Sequence, residues 1–341
     1  TVNLTTSTVS GGSYATGDTI SGFEYVIGTV YNDVLTGDTG ANRFWGGSGD
    51  DTILGGAGND TIDGEGGTDT ASYAGSDAAI TINLNTSTFA GGHATGDTLS
   101  NIENILGSDH ADLLTGNSGN NIFQGGAGND TIAGLGGADT IDGGDGIDTA
   151  DYSASSAGVS VNLATGVGSG GDANGEVLTN FENLIGSNSN DTLTGAASGS
   201  YIDSRGGNDT VVGGAGNDTI IGATGHKEIN AGAGNDNVTG SSSSDWITGG
   251  AGADTLAAGA DSGTWLGNGW WNGDTLDYYY SSAGVTVNLA TNAVSGGDAT
   301  GDVISGFEST RGAISYSNVL TGSSVSNTLY GGNLADTISG G

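Results

Sequence analysis

The residues able to do chemistry in this chain are its acids. It carries 39 Asp+Glu against 4 Lys+Arg, with three His and no Cys. Many of the aspartates occupy one fixed place, the sixth position of a nonapeptide that opens on glycines. Gly46-Gly-Ser-Gly-Asp-Asp51-Thr-Ile-Leu is followed directly by Gly55-Gly-Ala-Gly-Asn-Asp60-Thr-Ile-Asp. The same pattern runs from Gly125 with Asp130, from Gly143 with Asp148, from Gly213 with Asp218 and from Gly249 with Asp254.

That spacing has a physical reading. The first six residues make a turn, in which glycine accepts positive φ and lets carbonyls aim inward. The next three make a short strand whose apolar residue (Ile53, Ile62, Ile132, Ile220) points to the core. Two nonapeptides complete a coil of 18 residues, so turns 18 residues apart stack on one edge. Stacked carboxylates alone repel. Together with backbone carbonyls they form the hard oxygen cage that calcium prefers, and the repeat is a known calcium-binding β-helix pattern.

The register predicts which acids meet. Asp33, Asp51 and Asp69 stack on one edge, with Asn42 and Asp60 on the other. Asp112, Asp130 and Asp148 stack next, with Asn121 and Asp139 opposite. Farther on, Asp191 stacks on Asp209, Asp218 on Asp236 and Asp254, and Asn318 on Asp336. Lys227 falls at a sixth position between Asp209 and Asp245. An ammonium there replaces an ion, so no calcium is expected at that level.

Behind these sites lies a repeat architecture. With 70 Gly, no Pro and a formal net charge of −35 in 341 residues, composition alone points to disorder. Val, Ile and Leu nevertheless recur at fixed spacing, which is the mark of a stack of coils. Segments beginning Thr1-Val2-Asn3-Leu4, Ile80-Thr81-Ile82-Asn83-Leu84, Val159-Ser160-Val161-Asn162-Leu163 and Val285-Thr286-Val287-Asn288-Leu289 align with one another, one in each of four modules, their Asn residues 80, 79 and 126 positions apart. Stretches 73–106, 152–185 and 278–311 each hold 34 residues and open on Tyr73, Tyr152 and Tyr278. The modules are 1–72, 73–151, 152–277 and 278–341, the third longer by whole nonapeptides, as a nearest-neighbour stack tolerates. If the 34-residue stretches coil in the same way, the four modules form one continuous solenoid.

The acidity excludes nucleic acid as a partner, because phosphates are repelled. No apolar run reaches the ~20 residues of a membrane span, and no leader pattern is present. Both ends fall inside repeat patterns, so the chain is expected to be a piece of a longer protein.

On these nonapeptides the chain resembles the repeats-in-toxin (RTX) family of hemolysin-type calcium-binding nonapeptide repeat proteins. The resemblance is strong over the nonapeptides, moderate over the 34-residue stretches and absent over 258–273. It implies an all-β fold, a right-handed parallel β-roll (β-solenoid) with stacked calcium sites. It implies that turn carbonyls join the aspartates as ligands, here Gly126, Gly128, Gly144 and Gly214. It implies type I secretion, with folding outside the cell where calcium is available.

Weaker signals are read conservatively. Glu24, Glu103, Glu182 and Glu308 recur once per module; a catalytic carboxylate pair is needed only once, so they are expected to cap turns or bind a cation. Asp18, Asp97, Glu176 and Asp302 recur likewise and are either further calcium sites or solvated turns. His93, His110 and His226 sit in unrelated contexts and read as surface loop residues. Trp265, Trp270 and Trp271 lie where the coil register breaks. Three indoles do not fit one narrow coil, so at least one is expected to be exposed, for self-association or for an extracellular glycan.

The expected function is that of a calcium-binding structural or adhesive region of a large secreted protein: an adhesin, matrix or surface-layer component. It is not expected to be an enzyme. The alternative is a calcium-dependent folding and secretion module appended to a secreted protease, lipase or polysaccharide-active enzyme.

Overall fold

In this computed structural model residues 1–11, 16–260 and 273–341 are described. The chain is all-β, and three-residue strands at nine-residue spacing stack in parallel. It divides into two compact units: residues 1–151 with 172–181, and residues 152–171 with 182–341. Among the described residues no helix is long and apolar enough to cross a membrane.

In the first unit one parallel ladder runs through Val34–Thr36, Thr52–Leu54, Thr70–Ser72, Asn104–Leu106, Ile122–Ala127, Thr140–Asp145 and Val177–Thr179. Its centre is a column of buried apolar side chains: Leu35, Ile53, Ala71, Ile105, Phe123, Ile141 and Leu178. A second ladder stacks Val26, Phe44, Ile62 and Leu99, and a third stacks Ile82, Leu114, Ile132 and Ala150. Most of the three-residue strands bury their middle residue, as at Leu35, Ile53 and Leu114, because side chains alternate across a strand.

The second unit repeats this plan. Its longest ladder runs from Ser160–Asn162 through Thr192–Thr194, Asp209–Ala215, Lys227–Ala233, Trp246–Ala251, Thr275–Asp277 and Ser309–Arg311 to Thr328–Tyr330. A companion ladder stacks Leu184, Ile202, Ile220, Val238, Leu256 and Ile304, all buried.

The 34-residue stretches do not coil as the nonapeptides do. Each contains an antiparallel hairpin, as between Thr81–Asn83 and Thr88–Ala90 or between Thr286–Asn288 and Ala293–Ser295. The cause is local. Asn83 Oδ1 accepts the Thr86 amide at 2.8 Å and Asn288 Oδ1 the Thr291 amide at 3.1 Å, while Ser87 and Asn292 take positive φ. An Asx turn of this kind reverses the chain before a coil can close. Tyr73, Tyr152 and Tyr278 are buried at the start of each stretch. Trp265, Trp270 and Trp271 lie outside the described residues.

Candidate metal centre

The aspartate columns lie where the 18-residue register places them, and each is tied to its neighbour by a hydrogen bond. One carboxylate oxygen accepts the backbone N–H of the sixth residue one coil earlier. Asp51 Oδ1 accepts from Asp33 at 2.7 Å, Asp69 from Asp51 at 2.8 Å, Asp130 from Asp112 at 2.7 Å and Asp148 from Asp130 at 2.7 Å. Asp60 accepts from Asn42, Asp139 from Asn121, Asp209 from Asp191, Asp236 from Asp218, Asp254 from Asp236 and Asp336 from Asn318.

What happens to the second oxygen separates the sites. In Asp51, Asp60, Asp69, Asp130, Asp139, Asp218, Asp236 and Asp254 the Oδ2 atom is buried without a hydrogen-bond partner. These residues are only 1–2% exposed. A buried carboxylate oxygen without a donor is costly, and a hard cation is the partner that satisfies it. Burial pushes these acids up: Asp69, Asp130, Asp139, Asp218 and Asp254 rise from 3.8 to about 6, partly offset by the backbone hydrogen bond each accepts. Neighbouring carboxylates raise them further, Asp51 and Glu103 acting on Asp69 and Asp302 and Asp236 on Asp254. The residues present therefore fit calcium, whose charge would balance what the fold leaves unbalanced.

Asp33, Asp112 and Asp191 differ. Their Oδ2 accepts the backbone N–H of Thr29, Ser108 and Ser187, at 2.6, 2.6 and 2.7 Å. The same turn's hydroxyl adds a further bond in each case. These turns carry Thr or Ser in place of the second glycine. The second residue of an open turn holds positive φ, whether Gly47 at 109°, Gly126 at 109° or even Glu65 at 63°. The Ser and Thr residues do not, and their N–H closes on the carboxylate. Sequence reasoning pooled the two classes; the signal that separates them is Gly-Ser or Gly-Thr where Gly-Gly is usual.

Lys227 shows what each level offers a cation. Its side chain is wholly buried. Its Nζ lies 2.5 Å from Asp209 Oδ2, 2.8 Å from the Thr224 carbonyl, 2.9 Å from that of Gly207 and 3.1 Å from that of Arg205. Arg205 and Gly207 are the second and fourth residues of the Asp209 turn. By register those positions are Gly126 and Gly128 beside Asp130, Gly144 beside Asp148 and Gly214 beside Asp218, the carbonyls expected from the sequence. They are packed too closely to accept a side chain: a Cβ on Gly144 would lie 2.0 Å from the Gly126 oxygen, and one on Gly126 2.0 Å from that of Ser108.

The 34-residue stretches continue the columns. Asp97 Oδ1 accepts the Asp60 amide at 2.8 Å while its Oδ2 accepts the Tyr73 hydroxyl at 3.0 Å. Asp302 does the same with Asp254 and Tyr278. Glu103 Oε2 caps the Asp69 amide and Glu308 Oε2 the Asp274 amide. In the first module Asp18 and Glu24 are exposed. A ladder that the sequence reading missed runs along the outer turns. Asn32, Asn120, Asn129, Asn190, Asn208, Asn217 and Asn235, at fifth positions, each accept the amide one coil later. Among the described residues no three His, Cys, Asp or Glu side chains converge on one point, so the carboxylates act in stacked pairs with carbonyls.

A family profile described as RTX calcium-binding nonapeptide repeat (4 copies) matches residues 18–53, 36–71, 105–150, 185–220, 230–264 and 314–341, together more than half of the chain. No match is found among curated proteins.

Proposed function

We propose a function from one premise: the chain belongs to the RTX calcium-binding nonapeptide repeat family. It is a calcium-binding repeat region of the kind typical of secreted proteins. Its role is structural. Calcium converts a strongly acidic chain into a stack of coils outside the cell, which serves as a spacer in a large adhesin, matrix or surface-layer protein. The region performs no catalysis of its own.

One observation carries this reading: buried Oδ2 atoms without donors recur along the columns, as at Asp51 and Asp69 or at Asp218, Asp236 and Asp254. Pulling single molecules tests it. The calcium-loaded chain should resist extension, and the calcium-stripped chain should extend as a coil with no unfolding step. Equal, low resistance in both states would remove the spacer role and leave only a folding and export module.

A further inference from the structure

The second unit has two edges of turns, and they are not equivalent. On one edge stand Asp218, Asp236 and Asp254, whose Oδ2 atoms are all buried without a donor. Their turns carry Gly214, Gly232 and Gly250 at the second position, with φ of 121°, 110° and 101°. On the other edge stand Asp191, Asp209, Lys227 and Asp245. There every acid finds its second partner within the chain. Asp191 Oδ2 accepts from the Ser187 amide at 2.7 Å. Asp209 Oδ2 takes the Lys227 ammonium. Asp245 Oδ2 accepts the Ser241 amide, and its Oδ1 accepts both the Lys227 amide at 2.7 Å and the Ser241 hydroxyl at 3.0 Å.

We propose that in this array calcium binds along the Asp218–Asp254 edge only, and that from Asp191 to Asp245 the opposite edge is neutralised by the chain itself. The Lys227 ammonium is a tethered cation in the position that an ion takes at other levels. It sits among one carboxylate and three carbonyl oxygens, with no exposure to solvent. A buried ion pair is held when such additional hydrogen bonds satisfy it. The inference rests on calcium being the ion of the open turns. It adds that ion number across these coils is set by one edge, and that from Asp191 to Asp245 the other needs none.

Diffraction from calcium-grown crystals of the chain, recorded for the calcium anomalous signal, tests both statements separately. Peaks are expected beside Asp218, Asp236 and Asp254, and none between the turns of Asp191 and Asp245. Peaks along both edges would overturn the one-sided assignment while leaving calcium binding intact. Peaks on neither edge would overturn the calcium reading itself. Ion counting on folded protein adds a second measurement. Lys227→Asp should bind one calcium more than the parent, and Asp236→Asn at least one fewer. A folded Lys227→Asp with an unchanged count would overturn the surrogate role of the lysine. If that variant does not fold, the anomalous map of the parent decides.

Discussion

The two edges of the second unit are made by the same coils, nine residues out of step, yet they balance charge by different means. The Asp218–Asp254 edge leaves one oxygen of each carboxylate without a donor. The Asp191–Asp245 edge fills that second oxygen with serine amides and a lysine. Charge balance in this fold is thus decided turn by turn, by the residues at the second and sixth positions. The hydrophobic column between the edges is the same for both. Ile220 and Ile229 are equally buried on neighbouring strands of the two ladders.

The largest expected effect is that of removing calcium. Ion binding free energy is folding free energy in such domains, so a chelator should abolish most of the β signal in circular dichroism. A full β signal in chelator would end the comparison, since neither edge would then need an ion.

Next in size is Lys227→Met, which strands the buried Asp209 carboxylate. A loss of about 3–5 kcal/mol is expected from breaking such a pair, measured by denaturant unfolding in saturating calcium. Asp236→Asn should behave with opposite signs in the two states. In calcium it removes a ligand and lowers the melting temperature; in calcium-stripped protein it removes an uncompensated charge and raises residual structure. The same sign in both states would show that Asp236 faces no ion.

A smaller effect concerns pH. Asp218 and Asp254 have folded pKa values of about 6, above the ordinary 3.8. The calcium-free fold therefore binds protons more tightly than the unfolded chain does. The resulting stability is fully present below pH 3.8 and is lost as pH rises through about 6. Calcium-stripped protein should gain β structure when taken from pH 7 to pH 4.5. Asp254→Asn should reduce that gain, whereas Asp77→Asn, at an exposed position, should not. An equal reduction by both would assign the effect to general charge repulsion.

The smallest change is Ser241→Ala. It removes the 3.0 Å hydroxyl bond to Asp245 but keeps the amide bond, so a loss of about 1 kcal/mol is expected. The loss should be the same at every calcium concentration that keeps the chain folded. A calcium-dependent loss would place an ion on the edge read here as filled.

Much of this arrangement was legible in the sequence because the repeat is strictly local. The period placed Ile53, Ile62, Ile132 and Ile220 in the core, and the 18-residue spacing placed Asp51 under Asp69 and Asp218 under Asp236. The repeated Glu103 and Glu308 were expected to cap turns or bind a cation, and each accepts a turn amide, those of Asp69 and Asp274. Two things were not legible. The hairpins follow from an Asx turn whose effect depends on backbone φ at Ser87 and Asn292, which nonapeptide counting does not sample. The filled carboxylates of Asp33, Asp112 and Asp191 depend on where one amide points, and the sixth-position residue is the same in open and closed turns. The hydroxyl residues at 29, 108 and 187 were visible but carried no weight until their amides were located.

The alternation of edges also constrains how such a gene can change length. Because successive nonapeptides face opposite edges, gaining or losing nine codons exchanges the edges of everything downstream. A nine-codon deletion between Asp209 and Lys227 would take the ammonium off Asp209 and stack Asp236 on that carboxylate instead. Eighteen codons, one whole coil, can be duplicated or lost by recombination while every acid keeps its edge and every serine its carboxylate. Repeat number in this array should therefore drift among related genes by pairs of nonapeptides more often than by single ones.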